Sequence, residues 1–142
     1  MSGFLLDTNV VSELVNPQPH PGVTTWYTDR PVAALHLSTI VVAEIKAGIE
    51  GLPTGRRRRV LEAWLADLLE VSFVGRVLDF DTEAALVYGR ISAAARRAGR
   101  PAHVADAQIA AVATVHDLTI ATRDIADFAG FGVPLVNPFG GA

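Results

Sequence analysis

The chain has 142 residues, no cysteine, 12 Lys+Arg and 15 Asp+Glu, for a formal charge of −3. Half of its residues are hydrophobic and the mean hydropathy is +0.32, which excludes a chain kept unfolded by its own charge. Without cysteine there is no disulfide framework, thiolate metal site or cysteine nucleophile, and no apolar run reaches the ~20 residues of a membrane span. The stretch Met1–Asp7 lacks the basic start and long apolar core of a signal peptide, so a soluble, cytoplasmic protein is expected.

In chain order, Gly3 to Leu6 reads as a short strand ending in Asp7-Thr8-Asn9, with a helix over Val10–Val15 behind it. After Pro17, Pro19 and Pro21 a second short helix is expected from Gly22 to Thr28, then a strand over Val32–Leu37. Ser38 is a natural N-cap for a helix over Thr39–Gly51. Val60, Leu61, Trp64, Leu65, Leu68 and Leu69 form one apolar stripe at helical spacing, of the kind that buries itself in a core. Val77–Phe80 is a brief strand, and Asp81 opens a long Ala-rich helix ending near Gly99. Helix His103–Val115, strand Leu118–Ala121, short helix Asp124–Phe128 and strand Val133–Val136 complete the chain. Strands alternating with helices imply an α/β fold with a mostly parallel sheet covered on both faces. No linker or repeat interrupts residues 1–142, so one domain is expected.

In such sheets the functional crevice lies beyond the carboxyl ends of the strands. Four acids can reach that edge: Asp7 after the first strand, Glu44 two turns into the helix after the second, Asp106 early in the helix before the fourth, and Asp124 just beyond it. Asp7 and Asp124 also suit helix caps, and Asp106 suits a helix dipole. Glu44 has no such role: its helical neighbours Ile40, Val41, Ala47 and Gly48 offer neither charge nor donor, whereas Glu62 has Arg58 and Arg59 one turn back. A carboxylate on an apolar helix face is costly unless something satisfies it, and a cation is one such thing. An all-oxygen donor set suits Mg²⁺ or Mn²⁺ rather than zinc, and acids around such ions serve phosphodiester hydrolysis. The four histidines form no zinc pattern: His103, three residues before Asp106, can assist it but reads better as a helix-start or solvent-facing residue, and His116 as a structural part of a helix-to-strand turn.

The stretches Leu5–Glu13, Leu37–Ile45, Ala105–Ala111 and Ala121–Asp124, followed by Asp127-Phe128 and Val136–Phe139, resemble the PIN-domain family. The similarity is to its VapC-like toxin ribonucleases of type II toxin–antitoxin pairs, and nearest to their FitB-like branch. The motifs run through the whole chain in family order. The resemblance implies a three-layer PIN-like fold, its five-stranded sheet lying between helices. It also implies a homodimer, an Mg²⁺- or Mn²⁺-dependent endoribonuclease and a cognate antitoxin that blocks the site. By the same resemblance Asp7, Glu44, Asp106 and Asp124 are catalytic. Asp7 and Asp106 bind metal most directly, while Glu44 and Asp124 complete the shell or place the attacking water. Asn9 and Thr122 orient these acids. The family often has Asn where this chain has Asp124, with an Asp three residues on, here Asp127; Asp124 is the expected fourth acid and Asp127 a cap or loop support.

The expected activity is cleavage of single-stranded RNA by metal-activated water, with no membrane involvement. Its rival is a non-catalytic PIN-like binding module acting with a partner protein. A haloacid-dehalogenase-like site would need Asp where Asn9 stands, and no phosphate-binding Gly-rich loop followed by Lys occurs. The charge is unevenly spread: residues 56–100 carry nine basic residues against six acids, and the remainder three against nine. Arg56 to Arg59 must wrap around a helix, so at most two of them can serve one RNA path.

Overall fold

The computed structural model describes residues 3–140. Five strands, β1 (Phe4–Leu6), β2 (Leu35–Ser38), β3 (Val77–Leu78), β4 (Thr119–Ala121) and β5 (Leu135–Val136), form one sheet in the order β3-β2-β1-β4-β5. All four pairings are parallel, with Leu5 opposite His36 on one side and Ile120 on the other. Parallel strands need covering on both faces, which accounts for unbroken apolar runs such as Leu5-Leu6 and Ile120-Ala121, all fully buried. Among the described residues seven α-helices flank the sheet: α1 (Thr8–Glu13), α2 (Pro21–Thr28), α3 (Thr39–Glu50), α4 (Arg56–Asp67), α5 (Thr82–Arg97), α6 (Val104–Val115) and α7 (Ile125–Phe128).

Local signals set the helix ends. Ser38 Oγ accepts from the Val41 amide at 3.2 Å to start α3, and Asp81 accepts from the Ala84 amide at 2.9 Å to start α5. Gly99, at φ 74°, stops α5 in a conformation that a side chain would disfavour. Along α6, Ala107 and Ile109 to Ala113 are all buried, and small side chains let α5 and the sheet approach closely.

Strands β3, β4 and β5 are shorter than expected and α6 starts one residue later, at Val104; three further differences have a local cause. The first helix begins at Thr8, because Asp7 caps it directly after β1. Val32–Ala34 is a 3₁₀ turn and β2 starts only at Leu35; the Arg76 guanidinium holds the Val32 and Leu35 carbonyls there. Past Asp67 the apolar stripe of α4 leaves the α-helix for a π-helical turn at Leu68–Ser72, closed by the Phe73 amide on the Leu68 carbonyl at 2.8 Å. That wider turn carries Leu68 and Phe73 both into the core.

The strand order reverses between β1 and β4, whose carboxyl ends carry Asp7 and Thr122. A crevice at that reversal is where an open parallel sheet offers its site.

Candidate metal and nuclease site

The centre of the crevice is built around Asp7. Its amide is fixed to the Ala121 carbonyl at 2.9 Å, so β1 and β4 together place the side chain, which is only 7 % exposed. One carboxylate oxygen accepts from the Thr8 amide at 2.8 Å, and the other accepts from the Thr122 hydroxyl at 2.7 Å. Thr122, wholly buried, accepts in turn from the Asp124 amide at 2.9 Å. Its proton is therefore directed at Asp7 and its lone pair at the start of α7. The Asn9 side-chain amide lies 3.4 Å from Asp7 and 3.1 Å from Asp124, and its oxygen accepts from the Arg123 amide at 3.2 Å. The two supporting residues tie α1 to the loop after β4 across more than a hundred residues of chain.

Glu44 joins from α3: one carboxylate oxygen accepts from the Thr8 hydroxyl at 2.7 Å. Its side chain is exposed rather than pressed on an apolar face, because α3 turns this position towards the crevice mouth. The burial cost expected for it is therefore not incurred, and Thr8 is the donor the helical neighbours could not supply. Asp124 is also exposed and makes no side-chain cap to α7; among the described residues its carboxylate is held by Asn9 alone. Asp106 stands partly buried in the first turn of α6. Asp127, in the first turn of α7, caps nothing through its side chain and acts electrostatically on Asp106.

The charges of these acids are mutually unfavourable. Burial pushes the Asp7 carboxyl above its usual range; the bonds from Thr122 and Thr8 pull it back, and the charges of Glu44 and Asp124 add to the rise. Asp106 is pushed up to about 6, first by burial, then by Asp7 and Asp127 and less by Glu44, with His103 opposing. Among the described residues the salt bridges join Lys46 to Glu50 and Arg58 to Glu50 and Glu62; none reaches the crevice acids.

This donor set fits a hard divalent cation: oxygen only, negatively charged and, among the described residues, without a salt bridge to any of the acids. No three His, Asp or Glu side chains among the described residues are gathered into a closed metal shell. Mg²⁺ does not require one, since it keeps several of its waters and takes one or two carboxylates directly. His103 occupies the position before α6 without capping it, and His116 lies in the turn after α6, away from the acids.

Two clefts open beside the acids. One, of about 480 Å³, lies between α1, α3 and α4, walled by Glu44, Arg57, Leu61 and Trp64. The apolar stripe of α4 is thus divided, with Leu65 and Leu68 buried and Leu61 and Trp64 facing that cleft. Of the four consecutive arginines, Arg57 lines it, whereas Arg58 is bound to the Glu50 carboxylate at 2.9 Å and the Leu52 carbonyl at 3.2 Å. The other cleft, of about 340 Å³, includes Asp106 and Asp127. Among the described residues no helix is long and apolar enough to cross a membrane.

Residues 4–131 match the PIN domain family model. The chain is 37% identical to VapC ribonuclease Y4jK of Sinorhizobium fredii, over 96% of this chain and 97% of the relative. It is 39% identical to Toxin FitB of Neisseria gonorrhoeae, over 96% and 98%. The solved structure of FitAB bound to an IR36 DNA fragment superposes with a TM-score of 0.90 at 37% identity, covering 98% of this chain and 97% of that one. The chain belongs to the PIN-domain family, in its VapC-like, FitB-like branch.

Proposed function

We propose that this single-domain protein is the toxin of a toxin–antitoxin pair and acts in the cytoplasm as an Mg²⁺- or Mn²⁺-dependent endoribonuclease on single-stranded RNA. The observation that carries the reading is the run of carboxylates at the strand-order reversal: the charges of Glu44 and Asp124 act on Asp7 and those of Asp7 and Glu44 on Asp106, and among the described residues no salt bridge reaches them. Relatives named as a ribonuclease and a toxin support it. A divalent ion there would supply Lewis-acid activation of water and neutralise charge at the scissile phosphate.

Asp7 and Asp106 would hold the ion. Asp7 is preorganised for this by Thr8 and Thr122, which fix both of its oxygens. Glu44 and Asp124, on opposite sides of Asp7 and open to solvent, would complete the oxygen set or orient the attacking water. Raised carboxyl pKa values at Asp7 and Asp106 mean that ion binding competes with protons, so activity should fall steeply on acidification.

The partner would be a cognate antitoxin, in keeping with the FitAB complex on DNA, and the working unit a homodimer, which the family resemblance implies. Purified protein should cleave an unstructured RNA with Mg²⁺ or Mn²⁺ and stop on addition of EDTA. Asp7→Asn should fold and be inert; full cleavage by that variant would overturn the assignment. Toxicity of the expressed chain should vanish with Asp106→Asn, whereas toxicity indifferent to it would favour a non-catalytic binding module.

A further inference from the structure

We infer that the cavity beside Asp106 seats one unpaired base of the RNA next to the phosphate being cut, a reading that rests on the nuclease function proposed above. The cavity, of about 340 Å³, opens between the C-terminal end of α5, the connection into α6, and α7. It is large enough for one ring-sized group and small for a folded element.

Three observations define its occupant. Asp106 and Asp127 form part of its wall, so anything in it adjoins whatever the carboxylate centre holds. Its interior is otherwise mostly apolar: Ala98 contributes a methyl group and Phe131 a half-buried ring. That ring is braced edge-on against the buried Phe128, with centroids 6.0 Å apart and planes at 89°. An aromatic ring held in the wall is a group on which a base can stack. The polar groups are split by sign, with Arg100 and His103 as donors and Asp127 as an acceptor. A phosphate would be repelled by the two carboxylates. A nucleobase has apolar faces for the wall and mixed donors and acceptors on its edge. Guanine meets both ends, with O6 and N7 for the guanidinium and N1–H and N2–H for the carboxylate. Arg100 would then read a base, while the phosphate path passes Arg57 on the far side of Glu44.

The test uses the full-length protein with Mn²⁺ and unstructured RNAs that differ only by one abasic nucleotide, moved stepwise across the cut. Removing the base at one position beside the cut should slow cleavage by roughly tenfold or more, a loss typical of one stacked base. Guanine there should outperform uracil. Ala98→Leu fills the cavity from an exposed position at the end of α5, where a larger side chain does not disturb the core. It should cut intact RNA as slowly as the wild type cuts the abasic RNA, and the two losses should not compound. Phe131→Ala should lose the guanine preference without filling the space. Cleavage indifferent to every abasic position, or an Ala98→Leu protein that still discriminates, overturns the base site while leaving the nuclease reading intact. A shift of Ala98→Leu from dimer to monomer in sedimentation assigns the cavity to an interface between copies and also overturns it. Absence of any metal-dependent cleavage by the wild type removes both.

Discussion

Replacing Asp106 by Asn should stabilise the metal-free protein, and the size of that effect can be worked from its surroundings. The Asp106 carboxyl is pushed from 3.8 up to about 6, chiefly by burial and then by Asp7, Asp127 and Glu44. Between those two values the folded chain keeps a proton that the unfolded chain has released, so folding stability falls as the pH rises through that window. The group's contribution is fully present below 3.8 and lost above about 6. The whole interval corresponds to about 3 kcal/mol. The side chain is still partly open to water, and screening reduces the figure to about 1–2 kcal/mol. Asn keeps the shape and cannot ionise. In EDTA at pH 7.5, Asp106→Asn should therefore exceed the wild type by about 1–2 kcal/mol, melting roughly 3–6 °C higher for a domain of this size. The advantage should shrink towards zero near pH 4. Urea unfolding at several pH values, extrapolated linearly to water, measures it. A variant less stable than the wild type at pH 7.5, or a difference that ignores pH, would show that the Asp106 charge does not destabilise the metal-free fold.

Thr122→Val keeps the buried volume but strands the Asp124 amide and removes the donor to Asp7; unfolding free energy should drop by about 1–3 kcal/mol and RNA cleavage by more than tenfold. Arg57→Ala should leave the melting temperature unchanged yet lower the salt dependence of RNA binding by roughly one phosphate contact, as titrations at increasing salt would show. Arg58→Ala should do the reverse, losing about 1 kcal/mol of stability with RNA affinity intact, because its guanidinium is tied to Glu50 and the Leu52 carbonyl. Asp117, at φ 54° in the turn between α6 and β4, should gain roughly 0.5–1 kcal/mol on replacement by Gly, with cleavage unaffected.

The parallel sheet was legible because its strands are short apolar runs closed by turn or cap residues. The positions of Asp7 and Asp124 after such runs pointed to one crevice, and the structure brings both to Asn9. What escaped depends on contacts distant in sequence. The Glu44 partner is Thr8, 36 residues away, and nothing on α3 announces it. The same distance hid the true start of β2, since the Arg76 bonds to Val32 and Leu35 cross more than 40 residues. The π-helical turn follows from burying Leu68 and Phe73 together, a packing demand that a regular 3.6-residue period does not express. Asp124 is the expected fourth acid because it lies nearer the strand end; the charge of Asp127 on Asp106, in another helix, is a contact that sequence spacing does not express. The charge of Asp124 acts on Asp7 and that of Asp127 on Asp106.

The acid crevice is proposed to hold a divalent cation. Mn²⁺ titration of the purified protein, followed by the loss of the free-ion paramagnetic resonance signal, tests it without reference to RNA. The expected result is saturable binding at neutral pH that weakens as the pH falls through 6, and that Asp7→Asn and Asp106→Asn each reduce at least tenfold. Binding of equal strength in the wild type and both variants, or none in any of them, would contradict it.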